Sequence, residues 1–348
     1  MHLNTPSSPH LHGPTTVTGT MLCVVYALLP GAMLYAWLFG WGVIINILLA
    51  IGTALVCEAV MLKLRQRPLA MFLTDGSALV TALLIGIALP PLAPWWIVFV
   101  GTAFAIVFGK HIYGGLGFNP FNPAMVGYVM LLISFPREMT TWAPPLSLSE
   151  ESLSLLQSFA YVFTGNLPTG VSIDALTMAT PLDTIKTELS LGKSVQEISA
   201  NPIFGTLGGT DIQWVTLAFL GGGLWLIHKK IISWHAPFAM LGALAVLSLL
   251  FFLSDQSAFA APTFHVFSGA AILGAFFIAT DPVSGATSNK GRLIFGAGVG
   301  IFTFVIRTWG GYPDAVAFSI LLMNMAAPTI DHYTRPQVFG HKREPEDG

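Results

Sequence analysis

The chain has 348 residues, of which 54% are hydrophobic and only 9% are charged, with a formal net charge of −2. Soluble domains carry roughly a quarter charged residues, so this composition excludes a water-exposed globule and points to a membrane. The near-neutral charge leaves no electrostatic footprint for nucleic acid, and no nucleic-acid partner is expected.

Apolar runs long enough to cross a bilayer, roughly 17–25 residues each, recur along the sequence. In chain order the candidate spans are 17–39, 41–62, 74–90, 94–110, 118–135, 213–228, 236–254, 264–280, 292–308 and 313–330. The first lacks a basic leader and a small-residue cleavage site, so it reads as a retained helix, not a cleaved signal. Cys23 and Cys57 fall inside apolar runs without a CxxC or Cys/His cluster, and read as small buried hydrophobes. Several spans are short, or carry Pro or Gly at or near their start, and a membrane helix tolerates such a break only where protein or a cavity satisfies the freed backbone.

One long hydrophilic stretch, 136–212, is rich in Ser, Thr, Leu and Pro. Polar segments of that length on a compact protein are commonly functional. The chain therefore divides into 1–135, a first five-helix unit; 136–212, the large loop; 213–330, a second five-helix unit; and 331–348, a tail. With a cytoplasmic N-terminus and every candidate span crossing, the inner segments hold Lys63, Arg65, Arg67, Lys110, Lys229, Lys230, Lys290, Arg292, Arg335, Lys342 and Arg343. The outer segments hold only Arg137, Lys186, Lys193 and Arg307. That asymmetry places both termini in the cytoplasm and the 136–212 loop outside, in the periplasm of a Gram-negative cell.

An internal repeat runs through the two units. Gly76-Ser-Ala-Leu-Val-Thr-Ala-Leu-Leu-Ile85 resembles Gly269-Ala-Ala-Ile-Leu-Gly-Ala-Phe-Phe-Ile278, and each is followed by an aromatic-Gly-Gly turn, at Tyr113 and Trp309. An odd number of spans separates the copies, so they run in opposite directions through the membrane. The expected fold is an all-α integral membrane protein of about ten transmembrane helices in two inverted five-helix repeats, with one large extracytoplasmic loop.

Few residues at membrane depth could carry chemistry. Apart from His228, the last residue of 213–228, His265 is the one histidine inside a candidate span, so a bis-His haem site is not expected. Glu58 reads either as an interfacial carboxylate paired with Lys63, Arg65 and Arg67 or as part of an ion pathway. Asp75, Asp281 and Asp314 sit at span edges, where helix capping explains each. Asn119 and Asn122, in Gly114-Gly-Leu-Gly-Phe-Asn-Pro-Phe-Asn-Pro-Ala124, could present amides to one side of a helix and meet a flavin's ring edge. Helix capping would use the same Asn-Pro steps. A Thr-centred pattern, Asp-x-x-(Ser/Thr)-x-Ala-Thr, occurs at Asp174–Thr180 and again at Asp281–Thr287. By composition alone both are ordinary polar turns or caps.

Across most of its length the chain resembles the RnfD (RsxD) subunits of the Rnf ion-translocating electron-transport complex, relatives of the NqrB subunit of the sodium-pumping NADH:quinone reductase. The resemblance rests on the Ser8-Pro-His10 region, Tyr113–Met125, Thr177–Asp183, Phe276–Val283 and Trp309–Asp314. It implies a flavin mononucleotide (FMN) joined through its phosphate to a threonine of the Asp-x-x-(Ser/Thr)-(Gly)-Ala-Thr motif by a periplasmic flavin transferase. The Asp281–Thr287 copy matches the Ser-Gly-Ala-Thr form better, since Met178 replaces the usual Gly. The charge topology, however, puts Thr180 outside and Thr287 inside, and the family's motif continues Thr-Pro-Leu as at Thr180. The covalent FMN is therefore expected on Thr180, with Asp174, Thr177 and Ala179 completing the motif and Thr287 a decoy.

The resemblance also implies a second, non-covalent flavin such as riboflavin, expected at Asn119 and Asn122. No GxGxxG follows a strand and opens a helix, so NADH and ferredoxin would be handled elsewhere. The implied partners are other Rnf subunits, including a periplasmic flavin-carrying subunit and iron–sulfur membrane subunits. The implied role is an electron carrier of the bacterial inner membrane within a translocase, with no stand-alone active site. A redox-inactive transporter or channel is the competing reading, because an inverted repeat with broken helices suits it too.

Overall fold

The computed structural model describes residues 16–149, 151–312 and 314–335. The Ser8-Pro-His10 region, Pro313, Lys342 and Arg343 lie outside the described residues. Thr16 accepts a hydrogen bond from Gly19 N at 3.1 Å and so caps α1 (Val17–Phe39). Gly40, at φ 89°, turns the chain directly into α2 (Trp41–Leu64). The expected 74–90 span is shorter: α3 (Leu69–Leu73) precedes a break at Gly76, and α4 (Ser77–Ala88) follows it. Helix α5 (Trp95–Phe104) continues as a π-helical stretch, Ala105–His111. Helix α6 (Pro123–Ser134) begins later than the expected 118, because Asn122 caps it and Pro123 supplies its first residue.

The 136–212 segment is ordered by short helices: α7 (Pro136–Thr140), α8 (Leu155–Thr164), α9 (Pro181–Ser190) and α10 (Val195–Ile198). It rests on the ends of the long helices. Leu146 N donates to Leu38 O at 2.8 Å, Val195 N to Ser257 O at 2.9 Å, and Lys186 Nζ to Tyr312 O at 3.1 Å. The rest of the chain forms α11 (Ile212–His228), α12 (His235–Ser254), α13 (Pro262–Phe267), α14 (Ala271–Leu273), α15 (Asn289–Trp309) and α16 (Val316–Thr334). A left-handed Gly269 separates α13 from α14, which runs on as a π-helical stretch, Gly274–Ile278.

Among the described residues four helices, α1, α2, α12 and α15, are long and apolar enough to cross a membrane, and shorter apolar helices accompany them. Large apolar side chains such as Trp37, Leu48, Val56 and Leu250 face outward from the long helices. An outer surface of that kind suits lipid, and the chain is a multi-pass helical membrane protein. The helices pack through small residues, as membrane helices do where side chains cannot separate the backbones. Gly222 on α11 lies against Ala27 O of α1, and Gly296 on α15 against Ala236 O of α12; a Cβ at either glycine would overlap that oxygen. Helices α6 and α16 also touch.

Candidate functional site

Two cavities open at opposite ends of α1. Tyr35 and Phe39, near its C-terminus, line one of about 190 Å³. Thr20 and Met21, near its N-terminus, line another of about 510 Å³. Both lie between elements of the two halves of the chain, and the Thr-centred copies are divided between them. Met178, Ala179 and Thr180 border the first, whereas Asp281, Gly285 and Ala286 border the second.

Thr180 is half-buried and forms the N-cap of α9, its Oγ1 accepting from Asp183 N at 3.2 Å. Pro181 at the first helical position fixes the local backbone. The segment before it is held by a 2.8 Å bond from Met178 N to Trp142 O. Asp174 is exposed on the 3-10 turn Asp174–Leu176, and Thr177 is extended; neither borders the cavity. The cavity that Thr180 borders is also lined by the aromatic residues Tyr35, Phe39, Tyr128, Trp142 and Phe219. Thus a hydroxyl at a helix N-terminus, where backbone N–H groups favour a phosphate, borders a cavity whose aromatic lining suits a planar ring system. Those residues fit a phosphate-linked flavin.

Asp183 and Lys186 lie one turn apart on α9. Burial pushes the Asp183 carboxyl above the usual carboxylate range, and Lys186 partly opposes the shift. Burial likewise lowers Lys186, against the attraction of Asp183. Lys186 Nζ donates to Arg307 O at 3.2 Å, and Asp314 also lines the cavity. Arg307 itself is buried. It donates to His265 O at 2.6 Å, Ser268 O at 3.1 Å and Asp314 Oδ1 at 3.0 Å, while Asp314 Oδ2 accepts from Ala270 N at 2.7 Å. Asp314 is therefore an ion-pair partner that also accepts from the Ala270 backbone, where the sequence suggested only a helix cap.

At the other cavity, Asn119 and Asn122 precede α6 and do not share a helical face, contrary to the sequence expectation. Asn122 Oδ1 accepts from Met125 N at 3.2 Å as the cap, while its Nδ2 donates to Asp281 Oδ2 at 3.4 Å. Asn122 N donates to Asn324 Oδ1 at 3.1 Å, and Asn324 Nδ2 to Ser284 O at 3.0 Å. Asn119 Nδ2 donates to Phe121 O at 2.9 Å. Both amides border the cavity together with Lys110, Lys230 and Arg292. The Asp281 turn closes on itself through Val283 N and Ser284 Oγ, and Thr287 is exposed, its N donating to Asp331 at 2.9 Å.

A third cluster is absent from the sequence reading. Glu58 does not pair with Lys63, Arg65 or Arg67. Its carboxylate receives Lys110 Nζ at 2.7 Å and lies 2.9 Å from His111 Nε2. Lys110 also donates to Ser77 Oγ at 2.8 Å, and Ser77 Oγ to Asp75 Oδ1 at 2.5 Å. All five side chains are buried.

Across residues 4–340 the sequence matches the NQR2, RnfD, RnfE family. It is 54% identical over 345 residues to the D subunit of the ion-translocating oxidoreductase complex of Pseudomonas aeruginosa (strain UCBPP-PA14), covering 99% of this chain and 97% of that protein. The D subunits of the same complex from Salmonella newport and Escherichia fergusonii are 50% and 49% identical over 345 residues, each covering 97% of this chain and 98% of the relative.

Proposed function

The chain belongs to the NQR2, RnfD, RnfE family, and on that footing we propose that it is the D-type, flavin-carrying subunit of an Rnf-type complex. In this reading the complex couples electron transfer between NADH and ferredoxin to ion translocation across a bacterial inner membrane. The chain crosses about ten times as two inverted repeats, with both termini cytoplasmic and 136–212 periplasmic. Two features support the inversion. Helix α4 runs from Ser77 at the larger cavity to Ile87 at the smaller, whereas 269–281 runs from Gly269 at the smaller to Asp281 at the larger. The first helices of the halves, α1 and α11, pack together, and so do the last, α6 and α16.

The observation that carries the functional reading is Thr180, at the head of α9 and at the mouth of an aromatic-walled cavity on the side that carries 136–212. Here a flavin transferase would meet the hydroxyl and attach FMN through its phosphate. Asp174 and Thr177, six and three residues before Thr180, would serve the transferase as recognition elements, and the small Ala179 side chain would leave room beside Thr180. The bound flavin supplies the electron chemistry. The chain's own residues would set its place: the α9 N-terminus would hold the phosphate, and Tyr128, Trp142 and Phe219 would shield the ring from water. Asn119 and Asn122 border the larger, cytoplasmic cavity, which would take the second, non-covalent flavin, such as riboflavin.

Other subunits would handle NADH and ferredoxin, with a periplasmic flavin-carrying subunit and iron–sulfur membrane subunits completing the route. Ultraviolet fluorescence of the denatured chain on a gel tests the reading. A flavinylated subunit glows, and a redox-inactive transporter is dark.

A further inference from the structure

Helix α8 is specified locally from both ends. Ser154 Oγ accepts from Gln157 N at 3.4 Å while Gln157 Oε1 accepts from Ser154 N at 2.9 Å, and Gly165, at φ 73°, ends the helix. Its 10 residues fall short of the roughly 12–15 that a helix needs to persist alone in water, so packing decides its place. It packs against α2, and its two buried residues, Ser158 and Val162, share one face.

At about 100° per residue, the remaining surface divides into two arcs. To one side of the buried face stand Leu155, Phe159, Phe163 and Leu156, and to the other Tyr161, Gln157 and Thr164. The apolar arc is open: Leu156 is 80% exposed and Phe159 51%. No Asp, Glu, Lys or Arg falls within the helix. Left to water, such an arc would be an aggregation liability.

The arc does not end with α8. The Phe159 and Phe163 rings lie 4.4 Å apart, Phe163 stacks on Trp95 at 6.4 Å, and Trp95 meets Phe99 at 6.5 Å. Trp95 is the first residue of α5, and both it and Phe99 are exposed. Helix α2, on which α8 packs, likewise turns Trp41 and Leu48 outward. An aromatic row therefore leads from the outward surface of the apolar helix α5 directly onto α8. Tryptophan collects where the hydrocarbon of a bilayer gives way to water. With one side on protein, one apolar and one polar, α8 has the three faces of a helix lying in that boundary. Its open apolar arc carries no polar side chain that would select a protein partner over lipid.

We propose that α8 is seated in the outer leaflet, with Leu155, Leu156 and Phe159 between the headgroups and the acyl chains, and so anchors 136–212 to the membrane surface. The choice of leaflet rests on the sidedness given above; the seat in lipid does not.

The test uses the whole complex in phosphatidylcholine liposomes, with Cys23→Ala and Cys57→Ala removing the native thiols. A bimane label is placed through Leu156→Cys, Phe159→Cys, Gln157→Cys or Thr164→Cys in turn. All four positions are exposed, so the label displaces no buried side chain. Phosphatidylcholine brominated on its acyl chains should quench the label at 156 and 159 at least about threefold more than at 157 and 164, and aqueous iodide should show the reverse order. Because the arc carries no charge, added phosphatidylglycerol should leave that ratio unchanged. Equal ratios at all four positions, or iodide quenching alone at 156 and 159, overturn the seat in favour of water. Quenching by neither agent at 156 and 159 overturns it in favour of a covering subunit. Sidedness is read separately, with a membrane-impermeant maleimide on Gln157→Cys. Reaction in spheroplasts supports the outer leaflet. Reaction only in inverted vesicles overturns that assignment together with the sidedness beneath it, and the quenching ratios still decide the seat.

Discussion

Lys186 donates to the carbonyl oxygen of Arg307 at 3.2 Å, which ties the helix headed by Thr180 to the C-terminal end of α15. The same ammonium reaches Tyr312 O at 3.1 Å. These bonds, with Leu182 packed against Ala260 and Phe264, fix where the Thr180 hydroxyl stands relative to the membrane helices.

Lys186→Met should loosen this tie while leaving the apolar stem. Charge-assisted hydrogen bonds to carbonyls contribute about 1.5–3 kcal/mol when buried, and partial exposure here reduces that to about 1 kcal/mol. The expected outcome is faster proteolysis within 136–212 and, on the flavinylated chain, greater rotational freedom in time-resolved fluorescence anisotropy. Unchanged values in both would show that α9 is held by Leu182 alone.

Asp183 gives a pH dependence whose sign is fixed. Its folded pKa lies above the unfolded value of about 3.9, so the folded state binds this proton more tightly. Its favourable contribution is complete below the unfolded pKa and is lost as pH rises through the folded one. Asp183→Asn should therefore raise the thermal midpoint at pH 7, with the gain fading toward pH 4. A gain that grew on acidification would contradict the burial argument.

Asn122 both caps α6 and bonds directly to Asp281 and Asn324 beside the larger cavity. Asn122→Ala should cost about 1 kcal/mol for the cap. It should also lower the acid-extractable, non-covalent flavin in the purified chain while sparing the covalent flavin. Asn122→Asp should lower the thermal midpoint further, since it sets a second carboxylate against Asp281.

Gly222 faces Ala27 O where α11 crosses α1, and there is no space for a Cβ. Gly222→Leu should prevent the two halves from closing, read as loss of the monodisperse peak in detergent. The neighbouring Gly221, which meets nothing nearby, should accept alanine without effect.

The apolar runs of α1, α2 and α12 were legible in the sequence because a membrane helix announces itself by length and composition. The ends were less so. The expected start at 118 fell short of α6 because the two Asn-Pro steps favour extended backbone until Asn122 can cap. The helix cap at Thr180 was legible as well, because Pro181 follows it at the first helical position. The Glu58 cluster was not legible. Lys110 reads as a charge at the inner end of the 94–110 span, its partner lies 52 residues away, and consecutive side chains on an α-helix diverge by about 100°. Only the tertiary fold, with its π-helical stretch, brings Lys110 and His111 onto one carboxylate.

Peptide mapping of the flavin is the most direct test of the central claim, made on the wild type and on Thr180→Ala and Thr287→Ala. The account predicts FMN mass on the peptide that contains Thr180, its loss in Thr180→Ala, and its retention in Thr287→Ala. Flavin on the Thr287 peptide, surviving in Thr180→Ala, would contradict both the site and the sidedness on which it rests.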